Sequence, residues 1–138
     1  MKICSACLLG IECRYDGKSK PNQKVIELTK TEKLIPVCPE QLGDLPTPRE
    51  QTELDGNRRA ITKSGKDVTE NFVRGAKKVL EIAKLHNVKE AILKQRSPSC
   101  GRGQVYDGTF SGKIIAGDGI TTALLKNNRI NVISEEDL

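Results

Sequence analysis

The chain has no Trp, only two Phe and two Tyr, one Met and a single His in 138 residues. A core built almost without rings must be aliphatic, resting on Val, Ile and Leu. The lone His86 is expected simply to favour a helix end, which leaves Ser-His-Asp and Cys-His nucleophilic mechanisms without support. Also missing is any apolar run long enough to span a bilayer. The opening "MKICSACLLG" has one Lys before a short Cys-containing stretch and lacks the charged, hydrophobic and cleavage regions of a signal peptide. Cytoplasmic residence with no membrane partner is the resulting expectation. No internal repeat or low-complexity linker interrupts the chain, so 1–138 is read as one domain. Positive charge is not concentrated either: the net +5 comes from Lys and Arg spread along the chain. That balance permits a nucleic-acid partner without indicating one.

What is present has an α/β rhythm. With 36% apolar and 30% charged residues the chain is not of disordered composition. "KICSACLL" (2–9), "KLIPVC" (33–38), "EAILKQ" (90–95) and "INVIS" (130–134) are short aliphatic runs of the kind buried on both faces of a parallel sheet. Helical patterns separate them. Residues 21–31 open with a Pro suited to a first turn and set Val25, Ile26 and Leu28 inward. Residues 67–87 repeat Phe72, Val73, Ala76, Val79, Leu80 and Ala83 at helical spacing, with Asp67 able to cap, Glu70 three residues on and Asn87 as terminator. Residues 119–127 form a last short helix. The predicted fold is α/β, a small three-layer sandwich with a mainly parallel sheet and right-handed crossovers.

Two long segments break that pattern. In the first, 39–66, "ELDGNRRAIT" predicts a hairpin turning at Asp55-Gly56. The second, 96–118, is a glycine-rich stretch that allows close backbone approach to something bound. Loops of this length in a compact domain are usually functional or disordered, and this turn chemistry favours order.

The five cysteines then acquire meaning. Reducing conditions disfavour structural disulfides in the cytosol, so Cys4, Cys7, Cys13, Cys38 and Cys100 are read as buried thiols, metal ligands or catalytic groups. Cys7, Cys38 and Cys100 each end or closely follow a strand-like run and are flanked by Gly or Pro. At the carboxyl edge of a parallel sheet they would converge. Converging thiols select zinc, copper(I) or iron–sulfur clusters, and the spacing 7, 38, 100 is not that of a zinc ribbon. Cys4 lies inside a strand and is assigned to the core. Cys13 is compatible with a fourth ligand, a resolving thiol or a bystander. Arg14, Tyr15, Asp16 and Arg49 share the loops of Cys7 and Cys38 and are candidates for shaping a pocket; Arg14 and Arg49 would also offset thiolate charge.

The blocks "SACLLGIECRYDG", "PVCPEQLGDLPTPRE", "GKDVTENFVRGA", "AILKQRSPSCG", "YDGTFSGK" and "AGDGITTALL" together resemble the domain-of-unknown-function 523 family, whose characterised members are thiouracil desulfidases. The resemblance covers nearly the whole chain in order. It implies long loops binding one [4Fe–4S] cluster on three protein cysteines, with the fourth iron open to substrate sulfur. By motif those ligands are Cys7, Cys38 and Cys100, and Cys13 is left outside the set. The family's catalytic Glu and Ser map to Glu40 of "CPE" and Ser97 of "SPSC". The implied activity is non-redox desulfuration of a thiopyrimidine small molecule: the open iron draws electron density from the thiocarbonyl, and Glu40 and Ser97 assist attack by water.

Two rivals stand beside this reading. The same centre could desulfurise thiolated nucleosides or RNA, which the basic balance keeps open. Alternatively Cys7, Cys13, Cys38 and Cys100 would close a tetrahedral zinc site in a non-enzymatic binding module.

Overall fold

The computed structural model describes all 138 residues, Met1–Leu138. Four strands form one parallel sheet: β1 (Lys2–Ser5), β2 (Leu34–Val37), β5 (Glu90–Leu93) and β8 (Asn131–Ser134), in the order β2-β1-β5-β8. The register pairs Ile3 with Ile35 and Ala91, and Ala91 with Val132. Side chains alternate across the sheet because the strand period is two. Ile3, Ala91, Leu93 and Val132 therefore meet one helical layer, α3 (Thr69–Leu85) and α4 (Ile120–Asn127), through Val79, Ala83 and Leu125. Cys4 and Ile92 face the other way, onto Val25 of the short α1 (Gln23–Leu28) and onto Leu8. This is the expected three-layer sandwich, and the thiol of Cys4 sits wholly in its core at 0% exposure. No helix is long and apolar enough to cross a membrane.

The helices begin and end where local chemistry dictates. In α1 the cap is Asn22, whose side chain accepts from the Val25 amide, so Pro21 lies just outside rather than in the first turn. In α3, Asp67 accepts from the Thr69 amide at 2.9 Å from one residue before the cap position, and the expected reciprocal bond from Glu70 is absent. Asn87 does terminate α3: it takes a positive φ of 54°, and the Val88 amide returns to the Ala83 carbonyl. His86 caps that helix end, as expected.

Three features depart from the sequence reading. The first strand stops at Ser5, and the apolar residues after it form a 3₁₀ turn, Ala6–Leu9, closed by Gly10 at φ 95°. The predicted hairpin is present as β3 (Thr52–Leu54) and β4 (Ala60–Thr62), but its left-handed residue is Arg58, and Asp55 rather than Gly56 organises the turn by accepting from the Asn57 and Arg59 amides. The glycine-rich segment contains a second hairpin, β6 (Gln104–Tyr106) with β7 (Ile114–Ala116). Buried Glu53 holds its tip by accepting from the Gly108 and Phe110 amides, both at 3.0 Å.

A short helix unforeseen in the sequence, α2 (Pro39–Leu42), packs flush on α3. Two glycines permit the contact. A Cβ at Gly75 would run into the carbonyl oxygen of Pro39, and one at Gly43 into that of Asn71. Asn71 adds a side-chain bond to the Gly43 carbonyl at 2.8 Å. In an open helix position Gly→Ala would be favourable by about 0.5–1 kcal/mol, but here overpacking costs about 1–3 kcal/mol. Gly75→Ala is therefore expected to destabilise the protein on balance, read as a lower urea midpoint with unchanged slope; a raised midpoint would contradict the close α2–α3 contact.

Candidate functional site

The carboxyl ends of β1, β2 and β5 open into one cavity of about 300 Å³, with Ser5, Val37 and Lys94 on its wall. This is the crevice position expected for a parallel sheet. Cys7, Cys38 and Cys100 line it together, as does Cys13. All five cysteines are free thiols. Glu40, Ser97, Arg14, Tyr15 and Arg49 also line the cavity, whereas Asp16 does not. The Asp16 carboxylate instead accepts from the Lys18 amide at 2.9 Å and lies 3.9 Å from Arg14, which keeps it within its own turn. His86 is not among the lining residues.

Each thiol is held by a different backbone device. Cys7 rides the 3₁₀ turn, its carbonyl accepting from the Gly10 and Lys20 amides. Cys38 is the N-terminal cap residue of α2, and its thiol donates to the Cys13 carbonyl at 3.6 Å. Cys100 sits in a tight turn that explains the Pro and Gly framing it. Ser97 Oγ accepts from the amides of Ser99 and Cys100, both at 3.1 Å, while the Ser97 carbonyl accepts from Gly101. Any side chain at Gly101 would strike the Gln104 carbonyl, and one at Gly119 the backbone of Ser99. The turn is then pinned to the start of α4, whose Ile120 and Thr121 amides donate to the Pro98 and Ser99 carbonyls and whose Thr122 hydroxyl donates to the Cys100 carbonyl at 2.8 Å. Those bonds satisfy orphan donors of the helix start.

Crowding and burial raise the thiols of Cys13, Cys38 and Cys100 above the ordinary thiol range. A hydrogen bond with Cys13 and burial push the Cys38 thiol far up. For Cys13 the bond to Cys38 opposes the shift, but the bond to Cys7 and burial outweigh it and raise the thiol to about 11. Burial dominates at Cys100, pushed up to about 12, with Ser5 opposing and the charges of Cys38 and Glu40 adding to the rise.

Glu40 belongs to the first turn of α2 and pairs with Arg49, Nε to Oε1 at 3.1 Å, with side chains only 16% and 6% exposed. Ser97 uses its oxygen to accept twice from the turn, which leaves its O–H free to donate. Arg14 stacks over the Tyr15 ring at 5.6 Å. On another wall, Lys94 Nζ pairs with buried Glu135 at 3.1 Å, and Glu135 also accepts from the Gln95 amide. Cys13, which the sequence leaves open between ligand, resolving thiol and bystander, lines the cavity, and Lys94 lines it without having been singled out on sequence grounds. The signal for Lys94 was available: it directly follows β5, at the edge where ligands bind.

Residues 3–137 match the family model described as 2-thiouracil desulfurase. The chain belongs to the 2-thiouracil desulfurase family. It is 47% identical over 147 residues to the uncharacterized protein YbbK of Bacillus subtilis (strain 168), covering 100% of this chain and 97% of that one. Its fold is also that of a [4Fe–4S]-dependent thiouracil desulfidase, TudS, with a TM-score of 0.93 at 45% identity over 99% of this chain and 91% of the other. The donors in this desulfurase-family cavity fit such a group. Four thiols beside one carboxylate are a soft ligand set.

Because the folded thiols retain protons to higher pH than unfolded ones, their contribution to stability is present below pH 9 and lost as pH rises toward 11 for Cys13 and 12 for Cys100. The metal-free chain, kept anaerobic, should lose stability over that window. At pH 8 alkylation of Cys13 should run about 100-fold or more slower than in urea, since the thiolate is the nucleophile. Equal rates in folded and unfolded protein would refute the assignment.

Proposed function

We propose that this protein hydrolyses the C–S bond of a thiopyrimidine such as thiouracil, converting thiocarbonyl and water to carbonyl and hydrogen sulfide without net redox change. The observation that carries the reading is the single cavity that gathers Cys7, Cys38 and Cys100 with Glu40 and Ser97. Cys7, Cys38 and Cys100 would hold a [4Fe–4S] cluster, and Cys13 stays a thiol of the wall. When bound, the cluster supplies a Lewis-acidic iron with affinity for soft sulfur.

The chain's own residues supply the rest. Glu40, fixed by Arg49, is the base that takes a proton from the attacking water. Ser97, its oxygen committed to the Ser99 and Cys100 amides, donates its O–H to orient that water or relays the proton onward. Proton transfer of this kind contributes about 10²–10⁴-fold. A second reading, thiolated nucleosides or RNA, draws support from the cavity's charge: Arg14, Lys20, Arg49, Lys94 and Arg96 line it against Glu40 alone.

Anaerobic purification with iron and sulfide analysis, followed by sulfide release from 2- and 4-thiouracil, thiouridines and thiolated RNA, tests both. About four irons per chain and release from the free base are expected; a zinc-only, inactive protein would overturn the reading. Ser substitutions at Cys7, Cys38 or Cys100 should each abolish iron binding, while Cys13→Ser keeps it. Glu40→Ala and Ser97→Ala should retain iron yet lose about 10²–10⁴-fold in kcat; loss of iron in Cys13→Ser would revise the ligand set.

A further inference from the structure

Arg49 lines the cavity, yet its polar atoms are engaged by the protein itself. Nε donates to Glu40 Oε1 at 3.1 Å, Nη1 to the Thr47 hydroxyl at 2.9 Å and the Pro46 carbonyl at 3.2 Å, and Nη2 to the Cys13 carbonyl at 2.9 Å. Its backbone amide adds a bond to the Tyr15 carbonyl at 2.8 Å. The side chain is 6% exposed. A guanidinium so committed has every nitrogen engaged, leaving little capacity to bind substrate. Its planar fork instead joins three separate pieces of chain in one fixed geometry.

We propose that Arg49 is a positioning residue for the desulfuration, acting through Glu40. It holds the Glu40 carboxylate at one rotamer, and it locks the loop carrying Cys13 and Tyr15 against the turn that precedes β3. The inference rests on the reading of Glu40 as base. Three of its bonds run to uncharged groups and need only donors. The fourth runs to a carboxylate that would otherwise be free to swing, and a displacement of about 1 Å in a catalytic group costs about 100-fold in rate.

The test uses anaerobically purified holoenzyme and 4-thiouracil. Arg49→Gln should keep iron per chain and the visible spectrum near wild type, lower kcat about 100-fold, and leave KM within about threefold, because substrate does not touch the guanidinium. Arg49→Lys should recover part of the loss, since it restores the charge but not the fork. Thr47→Val, which removes one of the two Nη1 acceptors together with the acceptor of Gln41 Nε2, should cost less than Arg49→Gln and carries the test if that variant binds no iron. In a Glu40→Gln background the Arg49→Gln change should add less than about threefold, because residues acting as one unit are not additive. Losses that multiply in the double variant, normal turnover per cluster in Arg49→Gln, or a matching rise in KM would each overturn the assignment. A wild-type enzyme loaded with iron but unable to release sulfide sinks the desulfuration reading and this inference with it; an active enzyme indifferent to Arg49 sinks this inference alone.

Discussion

The site depends on parallel pairing. Cys7, Cys38 and Cys100 are far apart in the chain, and only the β2-β1-β5 register brings the carboxyl ends that precede them to one edge. In an antiparallel sheet, successive strand ends would point to opposite edges and the thiols would be separated by the length of a strand. Parallel strands require crossovers, and these crossovers do further work: α1 covers the face bearing Cys4, while α3 covers the other and supplies the Gly75 groove in which α2 lies. Because Cys38 caps α2 and the helix contains Glu40, its glycine contact with α3 fixes the proposed ligand and the proposed base together.

The electrostatics run in two opposite directions. Burial and mutual hydrogen bonding hold protons on the crowded thiols of Cys13, Cys38 and Cys100 to higher pH than usual. Ligation reverses that, because a bound metal deprotonates its thiols outright. The surrounding walls suit the ligated state: five cationic side chains face one carboxylate. Three of those cations are already committed, Arg49 to Glu40, Lys94 to Glu135 and Arg96 to Glu136, and Arg14 lies 3.9 Å from Asp16. Lys20, which has no ion pair, and Arg14, whose contact with Asp16 is long, are therefore the cations best able to respond to charge arriving in the cavity. The cost of assembling the wall is borne mainly by aliphatic burial elsewhere, in residues such as Ile3, Val79 and Leu125 that are fully enclosed and that contribute about 1.5–3 kcal/mol each.

Much of this was legible from the sequence, and for physical reasons. Four aliphatic runs with helical patterns between them admit few topologies once crossovers must be right-handed, so the sheet and the converging cysteines followed. Periodicity located α3 and α4, and Asn87 gave the end of α3. The misses share a cause: they concern segments whose conformation is settled by tertiary contacts. Ala6–Leu9 has the composition of a strand continuation, yet it curls because its carbonyls find Gly10, Ile11 and Lys20. The helix at Pro39–Leu42 did carry a local sign, a Pro at its first position and a Glu beside it, but four residues are too few for periodicity to speak. The second hairpin depends on Glu53, which is distant in sequence from the amides it holds.

Cys13 shows the same limit in the site itself. Nothing around it in "GIECRYDG" marks it as more than a loop residue, and Asp16 beside it looked equally suited to a pocket. Tertiary bonds separate the two: Arg49 and the Cys38 thiol both seize the Cys13 carbonyl and draw that residue inward, while Asp16 closes on its own turn. A thiol 2% exposed and hydrogen-bonded to two candidate ligands is therefore placed by its backbone, through an oxygen that serves as a structural acceptor. Its side chain needs no role in metal binding to account for its position. The same reasoning explains how one cavity can carry four thiols while only three belong to the proposed ligand set: the fourth is drawn in by the Arg49 junction through its carbonyl.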